Sequence, residues 1–188
     1  MFNLIIFGPP GSGKGTQSIR IAEKYGLIHI STGDIFRNEI RNKTEIGLKV
    51  KSITEKGELV PDELLIEILK SVIDKHKDTK GFVFDGFPRT IVQAEDLDNL
   101  MKEERSLISL VIALEVHEEE LVARLLKRAI ETGRKDDTEE VIQNRLKVYH
   151  KQTKPLIDFY KKQNKFELVH GVGSIEDIFN EICEVIDL

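Results

Sequence analysis

One lysine, a set of arginines and a few aspartates have the spacing to do chemistry. The lysine is Lys14, inside Phe7–Gln17, FGPPGSGKGTQ, a stretch with four glycines and two prolines. Glycine and proline at that density cannot continue a strand or a helix interior. The stretch follows the apolar run Leu4–Phe7, so a buried strand ends in this loop. Gly8, Gly13 and Lys14 have the G-x-x-x-x-G-K spacing of a loop that cradles phosphates. Successive N–H groups of Gly11, Ser12, Gly13, Lys14, Gly15 and Thr16 can point into one concavity, and the start of the next helix adds positive potential. Lys14 then reaches the outer phosphates. Gly15 stands where such loops usually carry the hydroxyl that contacts Mg²⁺, and Thr16 comes one residue later.

The arginines point the same way. Six of the nine, Arg37, Arg89, Arg124, Arg128, Arg134 and Arg145, gather in a few short segments. A surface that needs only charge can use lysine or arginine. A site that holds phosphoryl oxygens in fixed geometry favours the planar guanidinium fork. Asp85 closes the apolar run Phe82–Phe84. Asp136 and Asp137 follow Arg134 closely, and Asp137 is placed to cap the next helix, with Glu140 completing a capping box. None of the five histidines forms a ligand-spaced pair, and they are read as structural or surface residues. Cys183, the one cysteine, lies in an amphipathic pattern and is read as a small core residue.

These residues need a frame. The chain has 188 residues, 40% of them hydrophobic, enough for one well-buried core. Its net charge of −5 gives no bulk positive field for nucleic acid. No apolar stretch approaches the length of a membrane span, and the N-terminus lacks a signal-peptide pattern, so a cytoplasmic protein is expected. Strands are expected at Phe2–Phe7, Leu27–Ile30, Phe82–Phe84, Leu107–Val116 and Phe166–Val169. Helices are expected at Ser12–Tyr25 (Ile19 and Ala22 facing in), Pro61–Asp74, Gln93–Glu104, Glu118–Ile130, Thr138–Gln163 interrupted by Pro155, and Ile175–Ile186. The alternation predicts an α/β fold, a parallel sheet with helices on both faces and ligands at the carboxyl ends of its strands.

The phosphate loop with Gly15 after its lysine resembles that of the nucleoside monophosphate kinases, the adenylate kinase branch in particular. "STGDIFR", "KGELVPDEL", "FVFDGFPRT", "LVARLLKR", "GRKDD" and "NRLKVYH" resemble further motifs of that family, in its order, from Met1 to about Ile186. The resemblance implies a P-loop three-layer fold: a core of residues 1–30, 61–127 and 138–188, a small helical acceptor-binding excursion at 31–60, and a short lid at 128–137. It implies reversible transfer of the terminal phosphoryl group of ATP to AMP, giving two ADP, with Mg²⁺ accompanying ATP. Gly11–Thr16, Lys14, Arg124, Arg128 and Gly173 would bind ATP. Thr32, Arg37, Glu58, Leu59, Val60, Gly86, Phe87, Pro88, Arg89, Gln93, Arg134 and Arg145 would bind AMP. Lys14, Asp85, Arg89, Arg128, Arg134 and Arg145 would carry the chemistry, Asp85 through water to Mg²⁺ and not as a direct ligand. The Phe87–Pro88 bond is expected to be cis.

The lid has about ten residues, Arg128 to Thr138, and lacks the length and cysteines of the zinc-bearing lids of long-lid relatives, so no structural zinc is expected. A monomer is expected, because the excursions must move. A kinase for UMP or CMP with the same architecture stays open, as do a P-loop nucleotide switch and a kinase for a small metabolite. Thr32 and Gln93 favour AMP: pyrimidine-specific relatives tend to carry alanine and asparagine there, and the Gln93 amide can both accept from adenine's amine and donate to its ring.

Overall fold

Runs that are apolar on both sides need helices to cover both faces of a sheet, and the computed structural model, which describes residues 1–134 and 137–188, has that arrangement. Five parallel strands, β1 (Phe2–Phe7), β2 (Ile28–Ser31), β3 (Gly81–Asp85), β4 (Leu110–Glu115) and β5 (Phe166–His170), lie in the order β2-β3-β1-β4-β5. Central β1 is flanked by β3 on one side and β4 on the other, so the chain changes direction across the sheet at β1. Ile6 is level with Asp85, which sets the loops after β1 and β3 side by side. This is the P-loop three-layer α/β fold.

The helices are α1 (Lys14–Tyr25), α2 (Thr32–Arg41), α3 (Glu45–Glu55), α4 (Asp62–Asp74), α5 (Ile91–Glu103), α6 (Glu118–Thr132), α7 (Glu139–Val148), α8 (Leu156–Lys161) and α9 (Ile175–Ile186). One face of the sheet packs Phe82, Phe84, Phe87, Leu97 and Tyr160. The other packs Ile6, Ile21, Val83 and Ile182. Side-chain hydroxyls cap α2, α3, α5, α7 and α9, satisfying N–H groups that have no intrahelical partner. Helix α1 differs. Its cap is Gly13, left-handed at φ 90°, with no side-chain acceptor.

Three expectations are corrected. Ile19 does not face the core but is 47% exposed. The inner stripe of α1 is Gln17, Ser18, Ile21 and Ala22, which leaves residue 19 off it. Asp137 does not cap α7: Thr138 does, its hydroxyl accepting the Val141 N–H. The strand expected to begin at Leu107 begins at Leu110, and Leu107 is exposed. The break at Pro155 also reaches further back than the proline itself. Pro155 has no N–H to donate to the preceding turn, and the backbone widens to a π-helical turn at Tyr149–Thr153, where the Lys154 N–H bonds to the Tyr149 carbonyl.

A buried polar residue ties the central strand to its neighbours. Asn3 is fully buried; its Nδ2 donates to Ser106 Oγ at 2.7 Å and to the Leu107 carbonyl at 2.8 Å, and its Oδ1 accepts the Phe82 N–H at 3.2 Å. Asn3→Ala leaves these buried groups unpaired and is expected to cost about 3 kcal/mol in urea unfolding. Ser106→Ala, which removes one of the partners, should cost much less. Equal and small losses would show that water replaces the asparagine.

Candidate functional site

The phosphate loop packs tightly because its glycines have no side chains. A Cβ on Gly11, at φ 85°, would come within 3.0 Å of Leu125 Cγ and 3.1 Å of the Leu121 carbonyl, so the loop lies directly on α6. Ser12 is buried within the loop, its N–H bonded to the Pro9 carbonyl at 3.1 Å. Lys14 folds back with Nζ 3.4 Å from the Pro9 carbonyl. Burial pushes its ammonium down to about 8; Asp85 opposes the shift, and the charges of Arg89, Arg145 and Arg128 add to it. Asp85 ends β3, buried, with Oδ2 facing Gly15 and 3.6 Å from His29 Nε2.

Each of five arginines is held at a definite place. The Arg89 Nε donates to the Gly86 carbonyl at 2.7 Å. The Phe87–Pro88 bond between them is cis, as expected. Burial, then repulsion from Arg145, pushes the Arg89 guanidinium down to about 10, against the pull of Asp85. Thr153, in the π-helical turn, donates its hydroxyl to the Arg89 carbonyl at 2.9 Å. Arg37 pairs with Asp34 at 2.6 Å, and Arg124 with Glu120. Asp137 takes a different part from the one its position suggested. Its side chain is fully buried and accepts two bonds from Arg128, both 2.7 Å, and one from Arg145 at 2.8 Å. Lys135 and Asp136 lie outside the described residues, and so does the expectation for Asp136.

These groups line two clefts. The first, about 430 Å³, has Gly11, Gly13, Lys14, Gly15 and Thr16 on one side and Arg124 and Arg128 on the other, with Asp85 at its base. The second, about 740 Å³, lies under α2 and α3 and is lined by Thr32, Glu58, Leu59, Val60 and Gln93. Arg37, Arg89, Arg134, Arg145 and Gly86 line both. Thr32 donates its hydroxyl to the Gly86 carbonyl at 3.0 Å, which leaves its oxygen able to accept. Pro88 lines a small cavity of about 50 Å³ with Lys14, Arg89 and Arg145. Phe87 is buried in the core beneath it, and Gly173 lies exposed in the β5–α9 loop, outside the lining of either cleft.

The turn between α3 and α4 bears directly on α7. Gly57, at φ 73°, approaches so closely that a Cβ there would sit 2.7 Å from Arg145 Cγ. Next to it the Asn144 Nδ2 donates to the Lys56 carbonyl at 2.7 Å. Asn144, Thr153 and the buried role of Asp137 escape sequence reasoning. Each depends on how helices and loops pack against one another, which no periodicity marks.

Among the described residues no group of three or more His, Cys, Asp or Glu is placed to hold a metal ion. The Asp85 carboxylate, facing Gly15 of the phosphate loop, fits a hard cation carried mainly by phosphate oxygens and water. Chemically, the arrangement can hold a polyphosphate in the first cleft and a second phosphate in the other, with arginines between them.

A family model described as Adenylate kinase matches residues 6–165. The chain is 55% identical over 187 residues to an adenylate kinase of Bacteroides thetaiotaomicron, which spans 100% of this chain and 99% of that one. It is 52% identical over 187 residues to an adenylate kinase of Phocaeicola vulgatus, with the same coverage of 100% and 99%. With an adenylate kinase of Flavobacterium psychrophilum the identity is 48% over 188 residues, again 100% and 99% of the two chains.

The Asp137 clamp makes a pH-dependent contribution to the fold. Burial alone would raise its carboxyl, but hydrogen bonding and charge from Arg128, then the charges of Arg145 and Arg134, outweigh burial and hold it below the ordinary carboxylate range. A carboxyl whose pKa falls on folding stabilises the fold above its unfolded pKa, and the contribution is lost as pH falls through the folded value. Asp137→Asn keeps the shape and removes the charge. It should cost about 2 kcal/mol near neutral pH and progressively less below about pH 4. Thermal melts of both proteins at the two pH values measure this; an equal cost at both would assign the effect to shape.

Proposed function

Because the chain belongs to the adenylate kinase family, we propose that the first cleft holds the donor, the second the acceptor, and that the phosphoryl group crosses at the arginines they share. The chain is an ATP:AMP phosphotransferase, a nucleoside monophosphate kinase, and nothing favours UMP or CMP as its acceptor. One observation carries the assignment of the clefts: Arg37, Arg89, Arg134 and Arg145 belong to the walls of both. A binding module for one nucleotide has no use for a second cleft behind its cationic wall.

The amides of Gly11–Thr16 and the Lys14 ammonium hold the ATP phosphates, and Arg124 lies against the donor adenine. Gly173 is assigned to the donor side on the family resemblance. Arg37 and Arg89 grip the AMP phosphate. One of its oxygens attacks the γ-phosphorus; the bond from that phosphorus to the β–γ bridging oxygen breaks, and the bridging oxygen leaves on ADP. The attacking oxygen is already anionic, so no general base is required. Arg128, Arg134 and Arg145 surround the migrating group and offset its charge, which is most of what phosphoryl transfer asks of a protein. The family generally uses Mg²⁺ with ATP, and such a cation would neutralise part of the charge on the donor phosphates. Asp85 would hold the waters around it. Glu58, Leu59 and Val60 wall the acceptor base, and Thr32 and Gln93 read it.

Water must be kept from the donor phosphoryl during transfer. We assign that task to residues 31–60 and the lid at 128–137, which close over the core of residues 1–30, 61–127 and 138–188. A monomer leaves both segments room to move. Among the described residues no helix is long and apolar enough to cross a membrane; we assign the chain to the cytoplasm on the family resemblance.

Arg89→Ala should lose about 3 kcal/mol of transition-state stabilisation, the scale of one lost preorganised donor, in a coupled assay with ATP, Mg²⁺ and AMP, while melting changes little. Arg89→Lys should recover only part, since a point charge cannot replace the fork. Near-normal turnover in Arg89→Ala would remove it from the acceptor site. The depressed Lys14 gives a second check. Donor phosphates favour its charged form, so ATP binding should take up more protons at about pH 8.5 than at about pH 7. Calorimetry in buffers of different ionisation enthalpy measures the difference, and equal uptake would place Lys14 away from the phosphates.

A further inference from the structure

Gln93 lies in the first turn of α5, 1% exposed, with Thr90 capping the helix beneath it. Both ends of its amide are engaged. The Oε1 accepts the Arg89 N–H at 2.7 Å, and the Nε2 donates to Asp62 Oδ1 at 2.6 Å. Asp62 is the first residue of α4, 31 positions away in sequence. Its carboxylate can only accept, and the Arg89 backbone N–H can only donate. The two contacts therefore fix which end of the amide is oxygen and which is nitrogen. Rotating the amide by half a turn would set Oε1 against the carboxylate and the NH₂ against an N–H. Either would put like on like in a buried place, where an unpaired polar group is costly.

An amide locked this way has one oxygen lone pair and one N–H left to offer, in a fixed order. We propose that Asp62 is a specificity-determining residue: through Gln93 it holds the order that fits the amine edge of adenine and rejects the 6-oxo edge of other purines. This rests on the reading above that Gln93 meets the acceptor base. Adenine presents an exocyclic amine that donates and a ring nitrogen that accepts. The Gln93 Oε1 takes the first and the Nε2–H serves the second. A 6-oxopurine presents a carbonyl that accepts and a ring N–H that donates, the reverse order. It could be matched only by the flipped amide that Asp62 opposes. Asp62 does not touch the base. It is a positioning residue, and its contribution is to exclude one class of acceptor.

The test measures kcat/KM with AMP and with inosine monophosphate, whose base differs from adenine at this edge. Asp62→Ala should lower the AMP-to-IMP ratio on the order of tenfold, within the range a misplaced hydrogen-bonding group supplies. The change should lie mainly in KM, with AMP losing and inosine monophosphate gaining. Asp62→Asn should fall in between, because its amide oxygen can still accept from Nε2. A melt of each variant separates these effects from the loss of a negative charge at the start of α4. Equal losses for both acceptors would overturn the proposal and leave Asp62 a purely structural residue. Gln93→Leu isolates the premise. If it collapses the ratio and Asp62→Ala does not, the base reading stands and the lock is wrong. If Gln93→Leu leaves the ratio unchanged, Gln93 does not read the base and the lock falls with it.

Discussion

The whole site depends on keeping like charges together. Burial first, and then the charges of Arg89, Arg145 and Arg128 against the pull of Asp85, depress the Lys14 ammonium to about 8. Such a cluster would scatter if its members were free to seek solvent. Nearly every contact around the clefts can be understood as opposing that. Asp137 spans Arg128 and Arg145, the Gly86 carbonyl takes Arg89, Asp34 takes Arg37, and Asp85 offsets Lys14. Fixing the donors in advance means that little reorganisation remains when a transferring phosphoryl group develops charge.

The sheet makes this concentration possible. Parallel strands send all their carboxyl ends one way. With β1 central and β3 beside it in register, the phosphate loop and the segment bearing Asp85 and Arg89 emerge as neighbours although they are far apart in sequence. The cap of α1 belongs to the same logic. Five helices satisfy a first N–H group with a hydroxyl, whereas α1 starts at a left-handed glycine that leaves its first amides without a side-chain acceptor at the carboxyl end of β1.

The strands and most helices were legible because their signals are local. Apolar runs mark β1 and β4, and the 3.6-residue period of Leu64, Leu65, Ile68, Leu69 and Val72 marks α4. The glycine spacing and the arginine fork mark the phosphate chemistry without any fold. What could not be read depends on contacts across the chain. Asp137 looked like a cap because its neighbours in sequence suit one, but a buried position between two guanidiniums outweighs a capping bond. Ile19 looked like core because it is apolar, but it misses the buried stripe of α1 and lines the first cleft instead. The widened turn at Tyr149–Thr153 is set by a proline two residues after its end, and only the structure shows that it carries Thr153 to the Arg89 carbonyl.

Gly57 has a consequence beyond its turn. With no side chain, it lets the start of the α3–α4 connection rest against the stem of Arg145, while Asn144 holds the adjoining carbonyl. The two surfaces therefore share one space, and a methyl group between them would have to displace one or the other. Such a fit works as a mechanical interlock. The Arg145 side chain, which lines both clefts, is thus placed by shape at its stem and by the Asp137 carboxylate at its guanidinium.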